Sequence, residues 1–236
     1  MLNLIKNEWM KIFRRPGTYV MIGIIILLVS VGGAFVKYQD MRGTIPDNEN
    51  WKQGLQMENE AKKNELEQMQ GSVPNSVIEQ YERDIAINEY RIEHEISPNV
   101  DYSLWGFIND TAGMIDFVGL FSIIIAAGIV ASEFNWGTIK LLLIRPIKRW
   151  KILAAKYITV LLFGFLMILI LFAYSGFLGA LLFGMPESSV PYLNYYEGEI
   201  TEQGMLLHLL IYYGLHSIST FILATMAFMI SAVFRN

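Results

Sequence analysis

Asp116 and His216 are ionisable side chains inside long apolar segments, where charge is costly and usually serves a function. Asp116 lies about one to two helical turns into the segment 111–132, and His216 lies within the segment 205–234. A carboxylate in such a place is a functional candidate by default, although this one is close enough to the outer surface to stay hydrated. His208 is eight residues from His216, and two histidines are too few to hold a metal ion. The sequence therefore predicts no metal site and makes Asp116 and His216 candidates for a translocation path.

The chain carries none of the motifs that support catalysis or nucleotide binding. It has no cysteine, which excludes disulfides and thiolate chemistry. It contains no G-x-x-x-x-G-K-[ST] phosphate loop, so it does not bind ATP by that route, and it contains neither H-E-x-x-H nor G-x-S-x-G. Its basic residues cluster beside apolar segments, so nucleic acid is not an expected partner. We therefore expect a chain that is not an enzyme and binds no cofactor itself.

A basic segment between two apolar segments has the most specific pattern in the chain. It reads EFNWGTIKLLLIRPIKRWKILAAK, from Glu133 to Lys156. Gly137 interrupts the preceding helix, Thr138 can cap a short helix, and Pro146 cannot continue that helix. The predicted short helix contains an apolar run, formed by Leu141, Leu142, Leu143 and Ile144. This run either lies in the lipid interface or docks into a cytoplasmic partner.

The composition indicates an all-α integral membrane protein. Hydrophobic residues make up 53% of the chain, charged residues only 17%, and the mean hydropathy is +0.38. Four segments reach the ~20 residues that a helix needs to cross a ~30 Å hydrocarbon core. The predicted order is an interfacial helix (1–17), a first span (18–36), an external helical domain (37–110), a second span (111–132), a cytoplasmic loop (133–151), a third span (152–184), an external loop (185–204), and a fourth span with the cytoplasmic end (205–236). The third span is longer than the core requires, so it either projects beyond the membrane or breaks near Tyr174–Gly176.

Charge is sorted between the segments that connect the spans. Residues 37–116 hold seven basic and sixteen acidic side chains, and residues 185–204 hold four acidic and no basic ones. The amino-terminal segment and the central loop are basic, and Glu8 and Glu133 are their only acids. Because basic residues near span ends stay in the cytoplasm, both chain ends are predicted to be cytoplasmic.

Helical periodicity appears in two of the connecting segments. Apolar residues at helical spacing in residues 2–13 predict an amphipathic helix that lies in the plane of the membrane interface. Residues 50–98 show two amphipathic patterns separated by a Gly-containing turn, and Ser76 and Glu79 have the spacing of a capping box. We expect an antiparallel helical hairpin that ends at Ser97–Pro98 and packs on a second copy or a partner.

The segment from Glu133 to Arg149 resembles the signature of type-2 ABC transporter permeases, in which an acidic residue precedes Gly-Thr, a leucine-rich helix, a proline and a basic residue. The resemblance implies a bacterial plasma-membrane subunit that pairs with a second permease copy or paralogue, with membrane lipid, and with separate ABC ATPase subunits that bind ATP and Mg. It also implies a set of residues that couple to the ATPase: Glu133, Gly137, Thr138, Leu141, Leu142, Leu143, Ile144, Arg145, Pro146 and Arg149. That family has six spans, so we expect a fragment or a shortened variant.

The function expected from these features is export driven by a separate ATPase. A peptide antibiotic, a lipid-like molecule and an ion all remain open as cargo. The alternative is a membrane-anchored sensor or scaffold whose acidic external hairpin binds a ligand or partner.

Overall fold

The computed structural model of the protein describes residues 1–42, 50–69, 73–97, 103–135, 148–185, 191–196 and 198–234. Helices dominate these ranges, with one pair of strands near the carboxyl-terminal helix. The elements in chain order are α1 (Leu2–Phe13), α2 (Pro16–Met41), α3 (Trp51–Met69), α4 (Asn75–Glu93), α5 (Leu104–Thr111), α6 (Ile115–Asn135), α7 (Arg149–Phe183), β1 (Tyr192–Tyr196), β2 (Glu199–Gln203) and α8 (Met205–Phe234).

Four stretches of helix are long and apolar enough to cross a membrane. They are Pro16–Gln39, Leu104–Glu133, Arg149–Phe183 and Met205–Val233. The prediction of a mainly helical membrane protein with four such helices is therefore confirmed. The second stretch begins earlier than predicted, since α5 and a single 3-10 turn (Ala112–Met114) precede α6.

The helix α5 belongs to the bundle because small residues of α7 allow it to approach closely. A Cβ atom at Gly179 would lie 2.9 Å from Leu104 Cδ1 and 3.1 Å from Phe107 Cδ1. Leu104, Phe107 and Ile108 are all buried in the main core. Residues 104–110, which were predicted to belong to the external domain, therefore belong to the bundle of membrane-crossing helices.

The third span does not break at Tyr174–Gly176, as one alternative of the prediction had it. The helix α7 is continuous over 35 residues, or about 52 Å at ~1.5 Å per residue. The polar groups at the expected weak point are satisfied within the bundle. Ser175 Oγ donates to the carbonyl oxygen of Phe172 at 3.0 Å, and Tyr174 Oη shares a hydrogen bond of 2.7 Å with Ser30 Oγ of α2. The helix therefore projects beyond a ~30 Å core instead of bending.

The helices α6 and α8 pack side by side in the parallel direction. Thr111, just before α6, contacts Tyr213 at 2.9 Å between hydroxyl oxygens. Further along, a Cβ at Gly119 would lie 3.2 Å from Thr220 Oγ1, and Ser231 Oγ donates to the carbonyl oxygen of Ala127 at 2.6 Å. The residue numbers of the contacting positions increase together along both helices, which shows that the pair is parallel.

The segment between the third and fourth spans contains a β-hairpin, which corrects the all-α prediction. Tyr192 pairs with Gln203, and Tyr196 pairs with Glu199, in an antiparallel register. β-branched and aromatic residues favour strands, and Gly198 supplies the positive φ of 88° that the tight turn requires. Leu193 is 5% exposed and anchors β1.

The helices α3 and α4 pack as a pair through a small buried face with charged flanks. Leu55 and Ile85 are buried, and Asn88 Nδ2 donates to Asn59 Oδ1 at 2.9 Å. The predicted capping box is wrong, because α4 begins at Asn75 after Pro74. Its first turn already contains the serine that was expected to cap it. The helix also ends before the predicted stop, at Glu93.

Candidate functional site

Four charged side chains form a closed ring at one end of the bundle. Lys11 Nζ lies 2.6 Å from Glu8 Oε1 and 3.0 Å from Glu133 Oε1. Lys156 Nζ lies 2.8 Å from Glu8 Oε2 and 2.7 Å from Glu133 Oε1. Each ammonium group therefore contacts both carboxylates, and the two charges of each sign balance. We call Glu8, Lys11, Glu133 and Lys156 the charge ring.

Three members of the charge ring are almost completely withdrawn from solvent. The side chains of Lys156, Glu133 and Glu8 are 3%, 9% and 10% exposed, whereas that of Lys11 is 50% exposed. Lys156 Nζ donates hydrogen bonds to Glu8 Oε2 at 2.8 Å and to the carbonyl oxygen of Ile129 at 3.1 Å, and it forms an ion pair with Glu133. Burying an ion costs several kcal/mol unless it is well paired, and this geometry supplies the pairing.

The surroundings keep Glu8 and Lys11 of the charge ring ionised. Burial alone would raise the pKa of Glu8, but the ammonium groups of Lys156 and Lys11 outweigh it and hold that pKa below its ordinary value. Burial would lower the pKa of Lys11, yet its hydrogen bonds to Glu8 and Glu133 raise it. Glu8 and Lys11 are therefore both charged at neutral pH, so they hold α1 in position and do not exchange protons near pH 7.

The charge ring joins the three elements that surround the central loop. Glu8 and Lys11 are one turn apart on α1, Glu133 lies in the last turn of α6, and Lys156 lies two turns into α7. Arg15 adds a hydrogen bond of 3.1 Å from its guanidinium to Ser132 Oγ of α6. The helix before the loop, the helix after it and the amino-terminal helix are thus tied at one place.

The predicted coupling residues fall into three groups in the structure. Glu133 lies in the charge ring and is 6% exposed. Its carboxylate faces Lys11 and Lys156, and its role in coupling to an ATPase stays a prediction. Arg149 is exposed at the start of α7 and outside the ring. Most of the set lies outside the described residues: Gly137, Thr138, Leu141, Leu142, Leu143, Ile144, Arg145 and Pro146.

Sequence reasoning missed Glu8, Lys11 and Lys156 as site residues. A signal for them was nevertheless present in the charge sorting. Glu8 and Glu133 are the two acids that stand out in otherwise basic segments, and they are the two acids of the charge ring. An acid in an otherwise basic segment can pair with a basic residue of another such segment. Glu8 pairs in this way with Lys156, and Glu133 pairs with Lys11.

The two candidates for a translocation path lie at the same depth, and deeper than predicted. Asp116 is one turn before Gly119 on α6, and His216 is one turn before Thr220 on α8. Gly119 and Thr220 are in contact, and Thr220 lies at the middle of α8. Both ionisable side chains are exposed on the described bundle. The candidate span begins at Leu104, so Asp116 lies farther from the start of its span than predicted, and its hydration stays a prediction.

Aromatic side chains lead from the β-hairpin to His216. The rings of Tyr192 and His208 stack with centroids 3.4 Å apart, and His208 is 5.9 Å from Tyr212. The rings of Tyr212 and His216 are 4.4 Å apart. Within the described ranges, His, Asp and Glu side chains form no group of three that could hold a metal ion.

Four apolar helices of membrane-crossing length, together with bacterial relatives, define this chain as a bacterial membrane protein. A family model described as "Protein of unknown function (DUF2705)" matches residues 75–236. The chain is 50% identical over 238 residues to "Uncharacterized protein YhcI" of Bacillus subtilis (strain 168), covering 100% of the chain and 74% of the relative. It is 38% identical over 89 residues to "Uncharacterized membrane protein YdbK" of the same bacterium, covering 38% of the chain and 36% of that protein. The chain belongs to the DUF2705 family. No solved structure matches it.

This family membership overturns the family assignment made from the central loop. The family model and both relatives point to DUF2705, and neither points to the type-2 ABC permeases. The reason is the nature of the motif from Glu133 to Arg149. It combines a glycine, leucines, a proline and basic residues, and the basic residues are common to cytoplasmic loops of many membrane proteins.

Proposed function

We propose that this chain is the membrane-spanning subunit of an exporter that is powered by a separate cytoplasmic ATPase. In this proposal the ATPase binds ATP and Mg, a second permease copy completes the transporter, and residues 136–147 contact the ATPase. The observation that carries the proposal is the charge ring, which joins both ends of that loop to α1. A loop attached in this way moves three helices together when a partner pushes on it.

The burial of the charge ring supports transmission of movement over simple anchoring. Exposed ion pairs contribute little to stability, and they yield readily. Removing one partner of a buried pair is costly, so α1, α6 and α7 resist separation at this point. Displacement of the loop is therefore passed to the spans and is not absorbed at their ends.

The topology is the second part of the proposal. Charge sorting favours a cytoplasmic charge ring and cytoplasmic chain ends in the plasma membrane. The acidic segments meet at the other end of the bundle, where Tyr90 Oη of α4 donates to Glu202 Oε1 of β2 at 3.3 Å. A shared location for these acidic segments supports an external position for both.

The helix α1 would then lie in the inner membrane interface. Ile12 packs in the core, whereas Leu2 is 82% exposed, and Trp9 lies with Ile5 and Leu162 around an apolar groove of about 470 Å3. An apolar surface beside basic residues suits lipid tails and anionic headgroups. Lipid contacts of this kind would hold α1 against the membrane while the charge ring holds it against the spans.

The test of the proposal is the double variant Leu142→Asp and Leu143→Asp, which places two charges in the apolar part of the loop. Burial of a leucine contributes roughly 1.5–3 kcal/mol, so the ATPase should no longer co-purify with the chain. The matched control is Tyr196→Asp, which changes a residue that is 69% exposed at the opposite end. Co-purification and transport-linked hydrolysis equal to wild type in the double variant would contradict the proposal.

One observation favours the sensor or scaffold alternative. A cavity of about 680 Å3 lies between α4 and the β-hairpin, with Arg83, Tyr195 and Tyr196 among its lining residues. Such a cavity can receive a small ligand or a peptide. If this function holds, Arg83→Ala should abolish ligand binding at the outside while co-purification of any ATPase stays unchanged.

A further inference from the structure

We propose that Asp116, His216 and Tyr212 form a binding site for a lipophilic organic cation on the open face between α6 and α8. The inference rests on the proposed function and names the chemical class of the cargo. It uses a part of the molecule remote from the charge ring.

The depth of the site is set by packing on two sides. Gly119 contacts Thr220 at the middle of α8, and a Cβ at Gly164 of α7 would lie 3.2 Å from Ser122 Oγ. Gly164 is likewise near the middle of its helix, Arg149–Phe183. Asp116 is one turn from Gly119 and two turns from Ser122, so its carboxylate lies within the hydrocarbon layer.

The carboxylate of Asp116 has no protein partner in the described part of the chain. It makes no hydrogen bond or ion pair there, and its side chain is exposed on the bundle. A charged group at membrane depth faces a water-filled cavity or pairs with another group, because exposure to lipid is expensive. A cation that binds at this face would supply the missing partner.

The side chains of α8 at the level of Asp116 favour an organic cation over a hydrated metal ion. Tyr212 and His216 present adjoining rings one turn apart, with centroids 4.4 Å apart. Aromatic faces attract organic cations, most strongly where water is scarce. Phe117 and Leu215 flank the two polar groups and are 45% and 60% exposed. A lipophilic cation would place its charge near the carboxylate, its surface against the two rings and its apolar groups against the apolar neighbours.

The aromatic series continues outward from the site. His208 stacks on Tyr192 of the β-hairpin and lies one turn from Tyr212. The rings of Tyr192, His208, Tyr212 and His216 thus connect the outer hairpin with the depth of Asp116. A cation that leaves Asp116 would pass successive rings toward the outside, which is the direction of export.

The experiment uses the absence of cysteine in the chain. His216→Cys serves as a reporter in membrane vesicles that contain this chain without an ATPase, and Leu215→Cys is the matched control. Each is labelled with a cationic trimethylammonium-ethyl methanethiosulfonate and with its anionic sulfonatoethyl counterpart. We expect rapid labelling at position 216 with a preference for the cationic reagent. That preference should fall about tenfold, or about 1.4 kcal/mol, when Asp116→Asn is added.

Competition identifies the ligand class. Tetraphenylphosphonium should protect the cysteine at 216 from labelling, whereas tetraphenylborate, which has the same size and the opposite charge, should not. Protection should disappear with Asp116→Asn. Tyr212→Cys provides a second reporter if the histidine replacement disturbs folding.

Three results would overturn the site. Labelling at 216 and 212 that is no faster than at 215 would mean that this face meets lipid. If the preference for the cationic reagent is the same with and without Asp116→Asn, the carboxylate is not part of the site. Disulfide-linked dimers through the cysteine at 216 in place of labelling would mean that a second copy covers the face. Because no ATPase is present, these results are independent of the co-purification test, so either proposal can fail alone.

Discussion

Replacement of Lys156 by methionine should destabilise the protein strongly, because it removes one positive charge from the buried charge ring. Methionine keeps most of the apolar stem, so packing is largely preserved. The substitution removes a buried ammonium whose side chain is 3% exposed, its hydrogen bonds to Glu8 and Ile129, and its ion pair with Glu133. Breaking a buried ion pair costs about 3–5 kcal/mol. Lys11 still contacts both carboxylates, so we expect the lower end, about 3 kcal/mol.

The assay is thermal unfolding of the purified chain in detergent micelles. A loss of about 3 kcal/mol corresponds to a decrease in Tm of about 6–12 °C for a chain of this size. Lys151→Met is the matched control, since Lys151 is on the same end of α7 but is not a member of the charge ring. Its ammonium group lies over the Trp150 ring, 5.8 Å from the centroid. Its replacement should change stability by no more than about 0.5 kcal/mol.

A second variant separates the charge effect from a general packing defect. Adding Glu133→Gln to Lys156→Met removes the uncompensated carboxylate, so the double variant should cost less than the sum of the two single ones. Groups in one network typically show coupling of about 0.5–3 kcal/mol. Additive losses, or a Lys156→Met protein as stable as the Lys151→Met control, would refute the reasoning that the ring acts as a unit.

Three further outcomes are expected. Lowering the pH through the depressed pKa of Glu8 should remove the contribution of the charge ring, which is fully present above the ordinary glutamate pKa, and Glu8→Gln should abolish this acid dependence of Tm. Gly179→Ala should destabilise by about 1–3 kcal/mol, because its Cβ would lie 2.9 Å from a leucine of α5, whereas Gly176→Ala, whose Cβ would lie 3.8 Å from its nearest neighbour, should be neutral or stabilising; chemical denaturation of both variants would decide. An impermeant thiol reagent applied to intact cells should label Asn64→Cys strongly and Lys148→Cys weakly, and the reverse pattern would invert the proposed topology.

Long apolar runs made the four spans predictable because length and composition alone decide whether a helix can cross a bilayer. The exact starts were less accessible. Leu104 and Phe107 belong to the second span only because Gly179 admits them, and that fit depends on a helix far away in sequence. For the same reason, Asp116 lies farther from the start of its candidate span than predicted.

The charge ring was harder to predict because its members come from distant parts of the chain. Lys11 and Glu133 are 122 residues apart, and Lys156 and Glu8 are 148 residues apart. Charge sorting placed all four on one side of the membrane, but no local pattern indicates which basic residue meets which acid. The β-hairpin was not predicted because its pattern is weak. It consists of two short strand-forming runs around Gly198, in a segment that was interpreted as a loop.

The parallel pairing of α6 and α8 has a consequence for the order in which the protein can assemble. The hydroxyl groups of Thr111 and Tyr213 meet across 102 residues of chain, and Ser231 reaches Ala127 across 104. At ~5–20 residues per second, a ribosome needs about 5–20 s between completing α6 and completing its partner. During that interval the side of α6 that carries Gly119 lacks its partner, although Thr111 Oγ1 is already paired with the carbonyl oxygen of Ile108. The α6–α8 pair can therefore form only after the last span has been made, so it is a late step of assembly.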